Sequence, residues 1–486
     1  MKDDLAFCTI TQAAAQLRRN KVSPVELVQS ALRLIETWNP HLNAFITVTA
    51  ERALRDARAA EREIRRGRLR GLLHGIPITL KDNIFTRGVR TTAGSKILRD
   101  FVPSESAEVA KKLDDAGAIL LGKTNMHEFA YGITTENPHY GAARNPWDRE
   151  RIPGGSSGGS AAALAAGISF GSVGTDTGGS IRIPSSLCGT VGIKPTFGLV
   201  SCRGIVPLAV TLDHAGPLAR TVTDAAILLD AICERKISSQ NFSRAARASG
   251  KNDHRGAKLR LGWPRHYFFE RVEPEVKAAL ENAAKQFEEL GAHMEEVSLP
   301  HIEESVEPST QIALAEALEY HETRGYFPAR AGDYGEDVRK RLEMGSAIRA
   351  VDYLKAQEVR DRIREDFRAA FERVDAILAP ATPIAAPKIG ESSAHIDGKA
   401  ESVRGALVRM NRPANFTGFP VIAIPCGFTR DGLPIGMALH GAQWSEARLL
   451  QIAFAYEQAT EWHLRHPPEP RSSESTSNQM GESVNN

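Results

Sequence analysis

Three short segments carry residue types that could perform acyl transfer. The first, Gly75-Ile-Pro-Ile-Thr-Leu-Lys81-Asp82-Asn83, sets a lysine in an apolar strand, where a charged ammonium is expensive to desolvate. Burial lowers a lysine pKa, and the neutral amine is then a general base near pH 7. Taken alone, Lys81 reads as a strand-end lysine whose amine reaches solvent. The second segment, Gly154-Gly155-Ser156-Ser157-Gly158-Gly159-Ser160, has the composition of a flexible linker, yet folded-looking sequence continues on both sides of it. The third, Gly174-Thr175-Asp176-Thr177-Gly178-Gly179-Ser180-Ile181-Arg182, runs from a strand through a double glycine to a serine at the mouth of a helix. Glycines let several backbone N–H groups converge on one point. The oxyanion of acyl transfer requires such fixed donors, and a serine at their edge can attack the same carbonyl.

Two other patterns point to different chemistry and fail on context. Gly117-Ala-Ile-Leu-Leu-Gly122-Lys123-Thr124 has the spacing of a phosphate-binding loop. Such a loop follows a strand and opens a helix, whereas here a helical pattern precedes Gly117 and the intervening residues are apolar strand. Gly155-Ser156-Ser157-Gly158-Gly159 has the spacing of a nucleophile elbow, which needs a strand upstream and a histidine base downstream. Upstream lies the polar, proline-bounded stretch Asn145 to Pro153. The later histidines His214, His321 and His440 sit in no context that marks a base.

The elements that would position the three segments alternate between helix and strand. Ser23-Pro24-Val25-Glu26 supplies a helix cap, a first-turn proline and a capping-box glutamate. Apolar residues then recur at helical spacing from Leu27 to Ile35, and Asn39-Pro40 is expected to stop the run. A second helix over Ala50 to Arg66 interleaves arginines with glutamates, which reads as a solvated face. From Gly75 onward, strands (Ile76 to Leu80, Ala118 to Leu121, Ile168 to Val173) alternate with helices (Glu108 to Ala116, Ser160 to Ala166). Amphipathic helices follow over Glu275 to Leu290 and Tyr353 to Phe371. This order predicts an α/β fold, a sheet covered by helices on both faces. A single domain over 1–466 is expected, with a helical layer over 10–68, a catalytic core over 70–235 and a more variable substrate-side region over 258–408. The polar stretch between Arg235 and Lys258 reads as a surface excursion, and the tail from 467 to 486, with little to bury, as disordered.

Composition excludes several classes of function. The 486 residues hold 61 Lys and Arg against 59 Asp and Glu, a net charge of +2, which gives nucleic acid no bulk electrostatic handle. Five scattered cysteines without a C-x-x-C pair fit a reducing cytoplasm and argue against a disulfide framework or metal site. There is neither a secretory leader pattern nor an apolar run long enough to span a membrane.

Jointly, the three segments resemble the amidase signature family. The likeness extends from Gly75 to Pro217 and takes in Lys81-Asp82-Asn83, Gly122-Lys123-Thr124-Asn125-Met126, Asn145-Pro146-Trp147-Asp148, the glycine-serine run, Thr177-Gly178-Gly179-Ser180-Ile181-Arg182 and Gly192-Ile193-Lys194-Pro195. It resumes at Pro413-Ala414-Asn415 and Gly432-Leu433-Pro434-Ile435-Gly436. The resemblance implies Ser180 as acyl-forming nucleophile, Ser156 as bridging serine after a cis peptide bond, and Lys81 as base. It also implies an oxyanion hole from the backbone N–H groups of Thr177, Gly178, Gly179 and Ser180, with Ser157 and Arg182 as structural support. For the fold it implies a large mixed central β-sheet covered by helices on both faces, and no cofactor or metal is expected.

Within that family, a free-standing amidase and the A subunit of glutamyl-tRNA(Gln) amidotransferase are the two readings. The amidotransferase chains usually carry Gln where Ile183 stands, Met-Asp-Glu where Met126-His127-Glu128 stands, and an aspartate near Val408 that is associated with glutamine binding. Arg341 falls where they keep a glutamine-binding arginine, and it and Tyr131 are taken as substrate-binding candidates. The free-standing amidase is the preferred reading. Its expected partners are a small amide and, left open by the sequence, a second copy of the chain. Nucleic acid enters only with the amidotransferase reading.

Overall fold

Alternate residues of the strand Ile119–Thr124 feed two different hydrophobic cores. Leu120 joins the one built by Ile78, Leu80, Val173 and Ala226, while Ile119 and Leu121 join Val28, Ala57 and Ala162. A strand buried on both sides belongs to the middle of a sheet with helices on each face, and that is the architecture of the computed structural model, which describes residues 5–235, 259–396 and 398–470. The polar excursion at 236–258 and the end of the tail from 471 lie outside the described residues.

The main sheet has eleven strands: β1 (Phe45–Val48), β2 (Pro77–Lys81), β3 (Ile119–Thr124), β6 (Gly171–Asp176), β7 (Val191–Lys194), β8 (His214–Ala219), β9 (Arg260–Trp263), β10 (His293–Glu296), β11 (Ala376–Pro380), β14 (Val421–Phe428) and β15 (Pro434–His440). Two small ribbons stand apart, β4 (Glu136–Asn137) with β5 (Gly141–Ala142) and β12 (Ser393–Ile396) with β13 (Lys399–Ser402). The order across the main sheet is β1-β3-β2-β6-β8-β7-β14-β15-β11-β9-β10. The pair β2/β3, the pair β2/β6 and the run β11/β9/β10 are parallel, and the remaining neighbours are antiparallel. The sheet is mixed, as the family resemblance implies.

Ser23 caps its helix as expected, accepting from Glu26 N–H while Glu26 accepts from Ser23 N–H. That helix nevertheless continues through Pro40 to Leu42. A proline forgoes one N–H, and here the loss falls in the last turn, which Asn43 closes in left-handed conformation by donating to Asn39 O. The arginines of the helix Ala50–Arg65 pair with its own acids, as in Arg52–Asp56 and Arg65–Glu61. β2 departs from the alternation that one buried face would give: Thr79 and Lys81 are as buried as Ile78 and Leu80, because helices cover both faces of the sheet. Among the described residues no helix is long and apolar enough to cross a membrane.

Candidate active site

The parallel pairing of β2 with β6 sets Leu80 beside Val173, so Lys81 and Thr175 emerge together at the ends of adjacent strands. Lys81 is fully buried. Its Nζ lies 2.7 Å from Ser156 Oγ and 2.7 Å from Thr175 Oγ1, with Thr175 O at 3.5 Å. None of these partners is charged. Burial pulls the Lys81 pKa down to about 7, against the opposing fields of Asp176 and Asp213. A neutral amine has two protons to give to Thr175 and a lone pair to take the Ser156 hydroxyl proton, so three uncharged partners suit the deprotonated form. The strand-end lysine reaching solvent is thereby excluded.

Ser156 reaches Lys81 because its segment threads a narrow gap. The Gly155–Ser156 peptide bond is cis. A Cβ on Gly155 would sit 2.7 Å from Thr135 Oγ1, and one on Gly158 2.4 Å from the same atom. Thr135 donates to Gly154 O and accepts from Gly158 N–H, stitching both sides of the turn. Ser157 ties this segment to the next: its N–H donates to Ser180 O at 3.2 Å and its hydroxyl to Thr175 O at 3.3 Å. Glycine-serine composition here marks close approach, and the run is buried throughout.

The loop from β6 to Ser180 is wound around one carboxylate. Asp176 accepts from Gly179 N–H (2.8 Å), Ile181 N–H (3.1 Å), Arg182 Nε (3.0 Å) and NH2 (2.8 Å), and Asn415 Nδ2 (2.9 Å). Burial alone would raise its pKa, but the Arg182 guanidinium and these donors hold it well below the carboxylate range. Arg182 also donates to Asn411 O and Asn415 Oδ1. Gly179 has φ +118°, and a Cβ there would meet Ile183 Cδ1 at 2.6 Å, so only glycine closes this turn without strain. Gly179 N–H is committed to Asp176, which removes it from the expected set of four free donors. The N–H groups of Thr177, Gly178 and Ser180 have no acceptor among the described residues. The Thr177 hydroxyl donates to Asp213, whose carboxyl burial pushes up to about 6. The Ser180 hydroxyl makes no hydrogen bond among the described residues.

Tyr131 and Arg341 are brought together: Arg341 donates to Tyr131 O and stacks its guanidinium 5.2 Å from the Tyr131 ring centre. Thr175, Asp176 and Asn415 were legible only as parts of quoted motifs, and their bonds across strands could not be read from one dimension. The two discarded patterns fail as expected. Lys123 points into the protein, donating to Ile84 O and Thr91 Oγ1, and His214, His321 and His440 are all buried without a hydrogen bond to Ser156 or Ser180.

A family model described as amidase matches residues 26–450. This chain belongs to the amidase family. The family hydrolyses C–N bonds, and its members differ in what they cut. The chain is 41% identical to the A subunit of glutamyl-tRNA(Gln) amidotransferase of Moorella thermoacetica, over 96% of this chain and 99% of that one. Among solved structures, an amidase is 35% identical with a TM-score of 0.85, covering 93% of this amidase-family chain and 99% of the other. The A subunit of glutamyl-tRNA(Gln) amidotransferase from Thermotoga maritima is 34% identical with a TM-score of 0.75, covering 94% and 95%.

Proposed function

We propose that the chain hydrolyses a carboxylic amide through an acyl-serine on Ser180. The observation that carries this is Lys81: fully buried, bonded only to uncharged groups among the described residues, 2.7 Å from Ser156 Oγ and with its pKa brought down to about 7. Neutral Lys81 draws a proton through Ser156 as the Ser180 oxygen bonds to the amide carbon. The Ser180–Ser156 contact forms with substrate in the site, since hydrogen bonds of this kind tighten in the complex. The oxyanion is met by the N–H groups of Thr177, Gly178 and Ser180. As the C–N bond breaks, the proton returns through Ser156 to the leaving nitrogen. Water, deprotonated by the same relay, then adds to the acyl carbon and releases the acid and Ser180.

The amidotransferase reading has its own support: the Moorella relative's name, and Arg341, which stands beside Tyr131 and falls where those chains keep a glutamine-binding arginine. The relatives' names favour it over the free-standing amidase. Val408 offers no charge to a glutamine ammonium, which favours the reverse. Ammonia release by purified protein from aliphatic amides, aryl amides and glutamine, with Ser180→Ala as control, separates the two. Turnover of glutamine alone, and only with an added partner protein, identifies the chain as the glutaminase component of a larger enzyme. Release that survives Ser180→Ala refutes the acyl-serine mechanism.

A further inference from the structure

The wall beside the Ser180 loop holds more positive charge than the described residues neutralise. Arg412 is only 6% exposed, yet it pairs with no carboxylate among them: it donates to Ser309 O at 3.5 Å and Thr310 Oγ1 at 3.3 Å, and its Nε has no partner. Arg404, partly buried, makes neither a hydrogen bond nor an ion pair among the described residues, and it lies within the fields of Arg341, Arg412, Tyr131 and Asp337. Arg404, Val408 and Arg412 recur at four-residue steps on the helix Val403–Thr417, so they share one face of it. Opposite stand Arg341 and Tyr131, and the Tyr131 hydroxyl is buried without a partner among the described residues. The nearby carboxylate that these groups share, Asp337, is taken by Arg341 (3.0 Å) and His127 (2.9 Å). Buried guanidinium groups are retained where an anion completes them. The cluster adjoins the reacting centre, because a Cβ on Gly178 would sit 3.1 Å from Arg412 Nε and NH2.

We infer that the substrate is a small amide bearing a carboxylate a few bonds from the scissile carbonyl, received by Arg404, Arg412 and the Tyr131 hydroxyl, and bearing no ammonium group. This rests on the acyl-serine reading for the position of the scissile bond. Guanidinium forks hold a carboxylate through paired hydrogen bonds, and the same forks repel the ammonium that glutamine would bring.

The test compares kcat/KM for succinamate, its uncharged counterpart butanamide, and glutamine. Succinamate is expected to exceed both by about 100-fold or more, since a site built for a charged group leaves buried donors unpaired with the analogue lacking it. Arg404→Met should cut the succinamate-to-butanamide ratio at least about tenfold. In parallel, calorimetric titration of Ser180→Ala should show succinamate binding that butanamide lacks. Equal rates on succinamate and butanamide overturn the inference, as does a preference for glutamine. The wild-type ratio decides even where Arg404→Met folds poorly. If the chain turns over none of the three amides, the Ser180→Ala titration decides: succinamate binding that butanamide lacks supports the inference, and no such difference overturns it, while the acyl-serine reading is judged separately by whether ammonia release survives Ser180→Ala.

Discussion

At the scale of single residues, the mechanism stands on the protonation state of Lys81. A lysine with its pKa brought down to about 7 is a base only above that pH. For the reaction proposed, kcat/KM should fall about tenfold per pH unit below 7 and level off above it, read from initial rates of ammonia release across pH 5 to 9. Lys81→Arg tests the same point differently: a guanidinium stays charged throughout that range, so the loss should reach about 100- to 10,000-fold without recovering at high pH. Recovery there would mean that another group is the base. A charged residue on an apolar strand drew attention to Lys81, but its segment alone pointed to an amine in solvent, and only the family resemblance named it as base. Thr175, its second hydroxyl partner, was printed in the same motifs but unassignable, since the contact exists only once β2 lies beside β6. Arg404 and Arg412 gave no signal at all, because basic residues on a helix ordinarily face water.

Among elements, the junction from β6 to the helix Arg182–Cys188 depends on Asp176 more than on its glycines alone. Asp176→Asn keeps the shape but leaves Arg182 charged and unpaired in a dry setting, which should cost about 3–5 kcal/mol, measured as a lowered urea midpoint. Gly179→Ala should abolish turnover, because the φ of +118° and the 2.6 Å approach to Ile183 force the turn to move. A variant with unchanged rate would show that the turn is not what aims Ser180. Helix caps and strand positions were legible here, as at Ser23 and Glu26, since they rest on local bonding. The passage of a helix through Pro40 was not, because whether one lost N–H matters depends on how near the helix end lies.

For the whole molecule, two acids knit distant stretches of chain. Asp224 accepts from Ile10 N–H and Glu457 from Val222 N–H, joining the helix Ile10–Arg18, the helix Val222–Ile232 and the helix Glu446–Gln458. Burial pushes Asp224 up to about 7 and Glu457 up to about 8. Folded values above unfolded ones stabilise at low pH, and that stability is lost as pH rises through 7 to 8. Lys81 contributes with opposite sign above about pH 7, so the informative quantity is a difference: Glu457→Gln should lose less stability than wild type between pH 6 and 9 in parallel denaturation series. An identical slope would show that Glu457 does not titrate there. The fold class was legible from alternating elements, but strand order was not, because long-range pairing leaves no local trace. That order has a consequence for inheritance. Six strands drawn from residues 45–219 occupy one side of the sheet, five drawn from residues 260–440 the other, and β7 meets β14 at the seam. The groups proposed to break the bond therefore descend in the first stretch of gene, while most of the groups proposed to choose the molecule to be broken descend in the second. A chimaera crossing over near residue 240 is expected to exchange diet between relatives only where the incoming half keeps Asn411 and Asn415, which reach across the seam to Arg182 and Asp176.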